Sequence, residues 1–266
     1  MRVSLSCRIR NTFSKPIKEK VFFLHIPKCG GNSVKDGLKN EFISLDTRKD
    51  NAYIYINTNY TRKISEYLSE EKSEEFSVHS DCSLRIPENL LLYYMCQPKV
   101  RCIAGHIPFC DIAYRNFHKK YAYITIMRDP VERWISEYFY NKYHSRDTSS
   151  MDINEYLSSE YGIAQGTEYV LYLGGRSNGN DHYSSKAVNR AIQNLSKFSI
   201  IGFLDDLNGF ADRFQQRFGP KLDIGKKNVT PPNQNRKEIT GEILQQIETI
   251  CERDLEIYHN AKNLMM

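Results

Sequence analysis

One segment near the N-terminus limits the possible folds more than any other. Residues 21–26 form a continuous apolar run, which is typical of a strand buried on both faces of a parallel sheet. Pro27 ends this run. A turn with Gly30 and Gly31 follows, and the spacing of apolar residues over 34–42 predicts a helix. A strand, a glycine-bearing turn and a helix open a βαβ unit, so the sequence predicts an α/β protein.

Further strands and helices alternate along the rest of the chain. The other candidate strands cover 52–57, 100–104, 121–127 and 198–203. The candidate helices include 60–75, 87–95, 151–159, 164–173, 184–196, 206–218 and 238–262. Since no repeat or clear linker interrupts this alternation, we expect one domain over 21–262 after an N-terminal extension over 1–20. Its core is predicted to be a mostly parallel β-sheet flanked by helices.

The sequence has the features of a protein from a reducing compartment. No run reaches about 18 apolar residues, so we expect no transmembrane segment. Residues 1–20 are basic and lack the apolar centre of a secretory leader, although an organelle-targeting peptide is an alternative. The 7 cysteines are odd in number and irregular in spacing, which favours free thiols. We therefore expect a cytoplasmic protein.

The charge balance indicates a modest preference for anions. Lys and Arg number 37 against 32 for Asp and Glu, which leaves a formal net charge of +5. The basic residues are scattered, and the longest clusters are pairs such as Lys119–Lys120 and Lys226–Lys227. This distribution suits a small anionic ligand, and we expect no nucleic-acid partner.

The turn after the first strand has the composition of an anion-binding loop. Gly30 and Gly31 let the backbone approach an anion closely, and the following helix offers unpaired N–H groups. Lys28 adds a positive charge, while Asn32 and Ser33 add side-chain donors. The motif differs from a nucleoside-triphosphate loop, in which the lysine follows the second glycine. From these residues alone, a tight turn that needs glycine for its conformation is an equal alternative.

A second candidate anion site follows the strand at 121–127. Arg128 stands at the carboxyl end of this strand, and Ser136 lies about two helical turns further on. Asp129 and Pro130 predict a helix start, with Asp129 as the N-cap and Glu132 completing a capping box. A guanidinium and a hydroxyl suit a phosphate group. Taken alone, an Arg paired with a carboxylate and a Ser on a solvated face explain the same residues.

Together, these segments resemble the sulfotransferases that use 3′-phosphoadenosine 5′-phosphosulfate (PAPS). The stretch HIPKCGGNS at 25–33 is similar to their 5′-phosphosulfate loop, in the form found in the carbohydrate, heparan sulfate 2-O-sulfotransferase-like branch. The stretch IMRDPVERWIS at 126–136 is similar to their 3′-phosphate motif. Weaker similarity at 201–204 and 254–258 extends the resemblance over most of the chain. It implies a P-loop-like sulfotransferase fold, and without a membrane anchor it indicates a soluble relative of bacterial type.

The resemblance implies a role for each residue of the two motifs. The 5′-phosphosulfate would be held by Lys28, Cys29, Gly30, Gly31, Asn32 and Ser33. The 3′-phosphate would be held by Arg128 and Ser136. Cys29 and Asn32 stand where the family commonly has threonine, which leaves the role of the Cys29 side chain in doubt. Ser33 and Val34 replace a tryptophan of the cytosolic branch, which weakens the similarity to that branch.

His106 is the candidate general base. It follows a short strand and Gly105, and in the family a Gly-His segment precedes the 3′-phosphate motif. A histidine can accept the proton of an acceptor hydroxyl near neutral pH, whereas a strand-capping histidine is the structural alternative. The spacing of Cys96, Cys102, His106 and Cys110 lacks the C-x2-C pairs of a zinc site, so we expect no metal. His25 is predicted to be a hydrogen-bonded core histidine.

The expected activity is sulfuryl transfer from PAPS to a hydroxyl of a glycan or a small hydroxylated metabolite, which releases 3′-phosphoadenosine 5′-phosphate (PAP). Lys28 would stabilise the leaving group, and positioning with electrostatics would supply most of the acceleration. The alternative is an ATP- and Mg²⁺-dependent phosphoryl-transfer enzyme with an atypical anion loop. A non-enzymatic nucleotide-binding module is a third reading. Lys226 and Lys227 either close over the nucleotide or lie on the surface.

Overall fold

A sheet of five parallel strands forms the centre of the fold. The computed structural model of the chain describes residues 17–43, 52–68, 81–144, 151–175, 184–225 and 236–265. The strands are β1 (Lys20–Leu24), β2 (Tyr53–Ile56), β3 (Cys102–Gly105), β4 (Tyr121–Met127) and β5 (Ile200–Phe203). Their order across the sheet is β2-β3-β1-β4-β5, and every neighbouring pair is parallel. The predicted α/β fold with a parallel sheet flanked by helices in one domain is confirmed.

Helices connect the strands. The first half of the chain has α1 (Gly31–Phe42), α2 (Thr58–Leu68), α3 (Asp81–Met95), α4 (Asp111–Phe117) and α5 (Pro130–His144). The second half has α6 (Ile153–Ser158), α7 (Glu160–Ala164), α8 (Glu168–Gly174), α9 (Ser185–Leu195), α10 (Leu207–Phe218), α11 (Gly241–Ile250) and α12 (Glu252–Met265). Single 3₁₀ turns cover Gln165–Thr167, Leu204–Asp206 and Arg236–Glu238.

The apolar runs form the two central strands because both of their faces are covered. All seven residues of β4 are buried, and four of the five residues of β1 are buried. In the register of the sheet, Leu24 lies beside Gly105 on one side and beside Thr125 on the other. The chain therefore leaves β1, β3 and β4 at the same edge of the sheet.

The strand order creates a crevice at this edge. After β1 the chain runs toward β2 on one side of the sheet, and after β4 it runs toward β5 on the other side. Neighbouring strands whose connections diverge in this way mark the place where open α/β sheets bind ligands. The loops after β1 and β4 therefore flank the crevice.

Helix α5 begins at Pro130 with Asp129 as its N-cap, as its sequence predicts. The Asp129 side chain accepts a hydrogen bond of 3.0 Å from the backbone N–H of Glu132, as an N-cap does. The Glu132 carboxylate contacts the Arg128 guanidinium at 3.3 Å. The predicted apolar stripe is buried and consists of Val131, Trp134, Ile135, Tyr138 and Phe139. It packs in a second hydrophobic cluster with residues of α6 and α11.

The described residues correct several predicted boundaries, and they add helix α4, which no sequence pattern predicted. Helix α3 begins at Asp81 and places Pro87 inside it, although the proline predicted a start near 87. The predicted helix over 238–262 is two helices, because the chain turns at Cys251, whose buried thiol contacts the Pro130 carbonyl at 3.7 Å. Strand β1 begins at Lys20, and Ile17 is already part of the hydrophobic core.

The structure also bears on the predictions about membrane-spanning segments and about the state of the cysteines. Within the part of the chain that the structure describes, no helix is long and apolar enough to cross a membrane. The described cysteines are free thiols, namely Cys29, Cys96, Cys102, Cys110 and Cys251. Three predicted features lie partly or wholly outside the described residues, namely 1–16 of the extension over 1–20, 69–75 of the helix over 60–75, and the Lys226–Lys227 pair.

Candidate functional site

The loop after β1 adopts the backbone conformation of a tight, glycine-dependent turn. Lys28 has a φ of 62° and Gly30 a φ of 75°, both in the left-handed region. A Cβ atom on Gly30 would lie 2.3 Å from Cδ1 of Leu204. A Cβ atom on Gly31 would lie 2.1 Å from the ring of His25. The two glycines therefore bring the backbone against its neighbours, and helix α1 begins at the second of them, Gly31.

The Lys28 ammonium lies in a largely desolvated position. Its Nζ atom sits 3.2 Å from the centroid of the Tyr140 ring, a cation–π contact with a residue of α5. Among the described residues, no carboxylate is within salt-bridge distance of this ammonium. Burial lowers the pKa of Lys28 to about 8, with Arg133 and Arg128 lowering it further and Glu137 opposing them. An anion bound here would stabilise the charged form and raise this pKa again.

Arg128 joins the loop after β4 to the loop after β1. Its Nη1 donates a hydrogen bond of 3.4 Å to the carbonyl of Lys28. Its Nη2 contacts the carboxylate of Glu132 at 3.3 Å. Ser136 lies one turn further along α5 and is half-buried. The two candidate anion sites thus adjoin each other, and Arg128 is already held in place by neighbouring groups.

His106 has one ring nitrogen fixed by the backbone. Its Nδ1 lies 2.7 Å from the carbonyl oxygen of His25. A carbonyl can only accept, so Nδ1 carries the proton and Nε2 of the neutral ring has a free lone pair. Burial lowers the pKa of His106 to about 4, although the hydrogen bond to His25 opposes this shift. The ring is therefore neutral at pH 7, in the tautomer that a general base requires.

His25 supports His106 in a second way. The centroids of the two imidazole rings are 4.2 Å apart, and the His25 ring also stacks with Phe23 at a centroid distance of 5.4 Å. His25 is only 4% exposed, as expected for a core histidine. The expectation that it is hydrogen-bonded is wrong for Nδ1, which has no partner among the described residues. Burial, followed by the nearby His106, lowers the pKa of His25 well below its usual value.

The remaining residues of the β1 loop divide between the surface and the interior. The Asn32 side chain is exposed and accepts a hydrogen bond of 3.2 Å from Lys35. Ser33 is buried, and its backbone N–H donates to the Gly30 carbonyl at 3.3 Å. The Cys29 side chain points inward, where its Sγ lies 3.4 Å from the hydroxyl of Tyr169. The Cys29 side chain, whose role the sequence left open, therefore packs beneath the loop.

Sequence reasoning missed three residues that contact the candidate site residues. The Tyr140 ring contacts the Lys28 ammonium, the His25 ring contacts the His106 ring, and Tyr169 contacts both Cys29 and Arg128. His25 is the first residue of the first motif and Tyr140 lies one turn after Ser136, but no sequence pattern indicates the contacts that these three residues make. Among the residues that the structure describes, no group of three or more His, Cys, Asp or Glu could hold a metal ion.

Comparisons with known proteins add no assignment. No protein-family model and no curated protein sequence matches this chain.

Proposed function

We propose that this protein transfers the sulfuryl group of PAPS to a hydroxyl of a glycan or a small hydroxylated metabolite. The observation that carries the proposal is the meeting of two cationic loops at adjacent central strands, where Arg128 hydrogen-bonds the Lys28 carbonyl at 3.4 Å. A neutral His106 with a free Nε2 packs against His25, the residue just before this loop, with 4.2 Å between the ring centroids. The resemblance of residues 25–33 and 126–136 to the sulfotransferase motifs supports the same reading.

The residues of the site fit a donor with two anionic ends. The Lys28 ammonium lacks a carboxylate partner among the described residues and pays a desolvation cost that an anion would offset. The backbone at Gly30 and Gly31, next to the start of α1, suits the phosphosulfate end. Arg128 and Ser136 would hold the 3′-phosphate at the start of α5.

In the proposed reaction, each group of the chain has one task. His106 Nε2 accepts the proton of the acceptor hydroxyl as its oxygen attacks sulfur. The new O–S bond forms while the bond between sulfur and the 5′-phosphate oxygen breaks, so PAP leaves with both electrons of that bond. Lys28 stabilises the charge that develops on this oxygen. The loops contribute mainly by fixing the donor in line with the acceptor.

The proposal is tested by a thermal-shift titration with PAP run beside ATP and Mg²⁺. Micromolar PAP should raise the melting temperature, because a ligand that binds only the folded state stabilises it. ATP with Mg²⁺ should add little. An acceptor screen with PAPS would then measure the release of PAP. Stabilisation by ATP and Mg²⁺ alone would replace sulfuryl transfer with phosphoryl transfer. PAP binding without turnover on any acceptor would indicate a binding module.

A further inference from the structure

We propose that Tyr169 is a positioning residue, which fixes the β1 loop and the β4 loop relative to each other. Tyr169 is the second residue of α8 and is fully buried. Its hydroxyl is within hydrogen-bond distance of Cys29 in the first loop and of Arg128 in the second. It lies between the two loops that would hold the two ends of PAPS, so this inference rests on the proposed function.

The hydroxyl of Tyr169 satisfies its full hydrogen-bonding capacity at this junction. It donates its proton to the carbonyl of Arg128, which can only accept. Its oxygen accepts from the backbone N–H of Arg128 at 2.8 Å. The second lone pair is left for the thiol of Cys29 at 3.4 Å. One buried hydroxyl thus holds the backbone of one loop and the side chain beneath the other.

The position of Tyr169 is fixed by Asp254, a residue near the C-terminal end of the sequence. Its backbone N–H donates to one carboxylate oxygen of Asp254 at 2.9 Å, and the N–H of Val170 donates to the other at 3.1 Å. Asp254 belongs to α12 and is fully buried. The first turn of α8 is therefore pinned to α12, which makes Tyr169 a fixed reference for both loops.

A fixed spacing matters because PAP would contact both loops at once. Holding both phosphate sites at the right separation before binding avoids the entropic cost of ordering them. A ligand with one phosphate, such as adenosine 5′-monophosphate (AMP), would use only the loop after β1. Loss of the Tyr169 hydroxyl should therefore weaken PAP binding more than AMP binding.

The test compares Tyr169→Phe with Tyr121→Phe by calorimetry and by backbone amide exchange. Tyr121 is a matched control, since it is 1% exposed and its hydroxyl donates one buried hydrogen bond of 2.9 Å to Val100. It lies at the start of β4, at the opposite edge of the sheet. In Tyr169→Phe we expect about five- to tenfold weaker PAP binding, AMP binding within about twofold of wild type, and faster exchange at Arg128. Tyr121→Phe should leave all three unchanged.

The outcomes separate this inference from the proposed function. Wild-type protein that does not bind PAP would refute the proposed function, and the exchange data alone would then decide the inference. Faster amide exchange at Arg128 in Tyr169→Phe, but not in Tyr121→Phe, would support the inference. Unchanged exchange, or equal losses for PAP and AMP, would overturn it.

A second pair of variants covers the case in which Tyr169→Phe does not fold. Cys29→Ala removes the thiol donor and should accelerate amide exchange over residues 28–31, whereas Cys29→Ser keeps a donor and should restore slow exchange. Exchange in Cys29→Ala that matches wild type would overturn the link between Tyr169 and the first loop.

Discussion

Burial controls the protonation state of two residues at the candidate site. Lys28 and His106 both lose solvation, so the pKa of the first falls to about 8 and that of the second to about 4. The consequences differ, because a neutral histidine is the form that accepts a proton, whereas a lysine must be charged to hold an anion. The site is therefore ready for an anion over a limited pH range.

The affinity for PAP should fall as the pH rises through about 8. The lowered pKa of Lys28 means that the free protein loses this charge above that pH, and binding then requires proton uptake. Calorimetric titrations between pH 7 and pH 10 would show the wild-type affinity falling toward that of Lys28→Ala. In Lys28→Arg the charge persists, so its affinity should not change over this range. A wild-type affinity that is constant to pH 10 would refute this role of Lys28.

Substitution of His106 should lower turnover, whereas substitution of Arg128 should weaken PAP binding. His106→Ala should lower turnover by about 10²- to 10⁴-fold with PAP binding nearly intact, since the base does not hold the nucleotide. Arg128→Ala should weaken PAP binding by about 1.5–3 kcal/mol, the usual loss for a charged hydrogen bond. Lys28→Ala should abolish most turnover. Calorimetry with PAP and a PAPS turnover assay measure both quantities.

His118→Ala is the control for this pair. His118 follows α4 at the opposite edge of the sheet, where its Nδ1 contacts the carbonyl of Tyr114 at 3.0 Å. This variant should bind PAP and turn over as the wild type does. Equal losses of affinity in His106→Ala and Arg128→Ala would contradict the assigned roles.

At the level of single elements, the turn between β1 and α1 depends on Gly30 for its left-handed backbone conformation. Gly30 has a φ of 75° and precedes the first residue of α1. The neighbouring Leu204 methyl can move aside, so the backbone conformation is the main obstacle to a side chain. Gly30 therefore serves the conformation of the loop, in addition to the close approach to an anion that we propose.

Gly30→Ala should lower the free energy of unfolding by about 1–2 kcal/mol, the cost of a left-handed L-residue. Gly241→Ala is the matched control, because Gly241 begins α11 and a Cβ atom there would meet nothing within 4 Å. That variant should be neutral or slightly stabilising. Urea unfolding of both variants measures the difference. A Gly30→Ala variant as stable as Gly241→Ala would show that the turn tolerates a side chain.

Across the whole molecule, a buried polar cluster connects the C-terminal helix to the site. Asp254 in α12 caps the start of α8, and the fully buried guanidinium of Arg133 in α5 hydrogen-bonds Gln165 at 3.2 Å. Burial raises the pKa of Asp254 to about 7, against the opposing effect of the Tyr169 N–H, Arg133 and the Val170 N–H. The cluster fixes the helix that carries Tyr169.

Asp254→Ala should lower the free energy of unfolding by about 2–4 kcal/mol, because it leaves two buried N–H groups without their acceptor. Asp212→Ala is the control. Asp212 forms a salt bridge of 2.6 Å with Lys221, and both side chains are more than half exposed. Such a pair contributes less than about 1 kcal/mol. Denaturant unfolding that gives equal losses for the two variants would contradict this role of Asp254.

Local sequence patterns were sufficient to predict the elements that surround the site. The run at 121–127 corresponds to β4 at both ends, and Asp129 caps α5 as its position predicts. Both signals are local in sequence, since a continuous apolar run indicates a strand that is buried on both faces, and a capping residue directly precedes its helix. The break at Cys251 has no local signal in the sequence, and the Cys251 thiol contacts the Pro130 carbonyl, 121 residues away.

Local patterns of residues were enough to predict the order of the five strands, the two motifs and the residues that could bind anions. The direction in which each side chain points follows instead from tertiary packing. Cys29 faces the interior, and His106 carries its proton on Nδ1 because the His25 carbonyl lies 2.7 Å away. Tyr169 contacts Arg128, which is 41 positions away in the chain, and Cys29, which is 140 positions away. Such contacts arise when distant elements pack together, and no local pattern of residues records them.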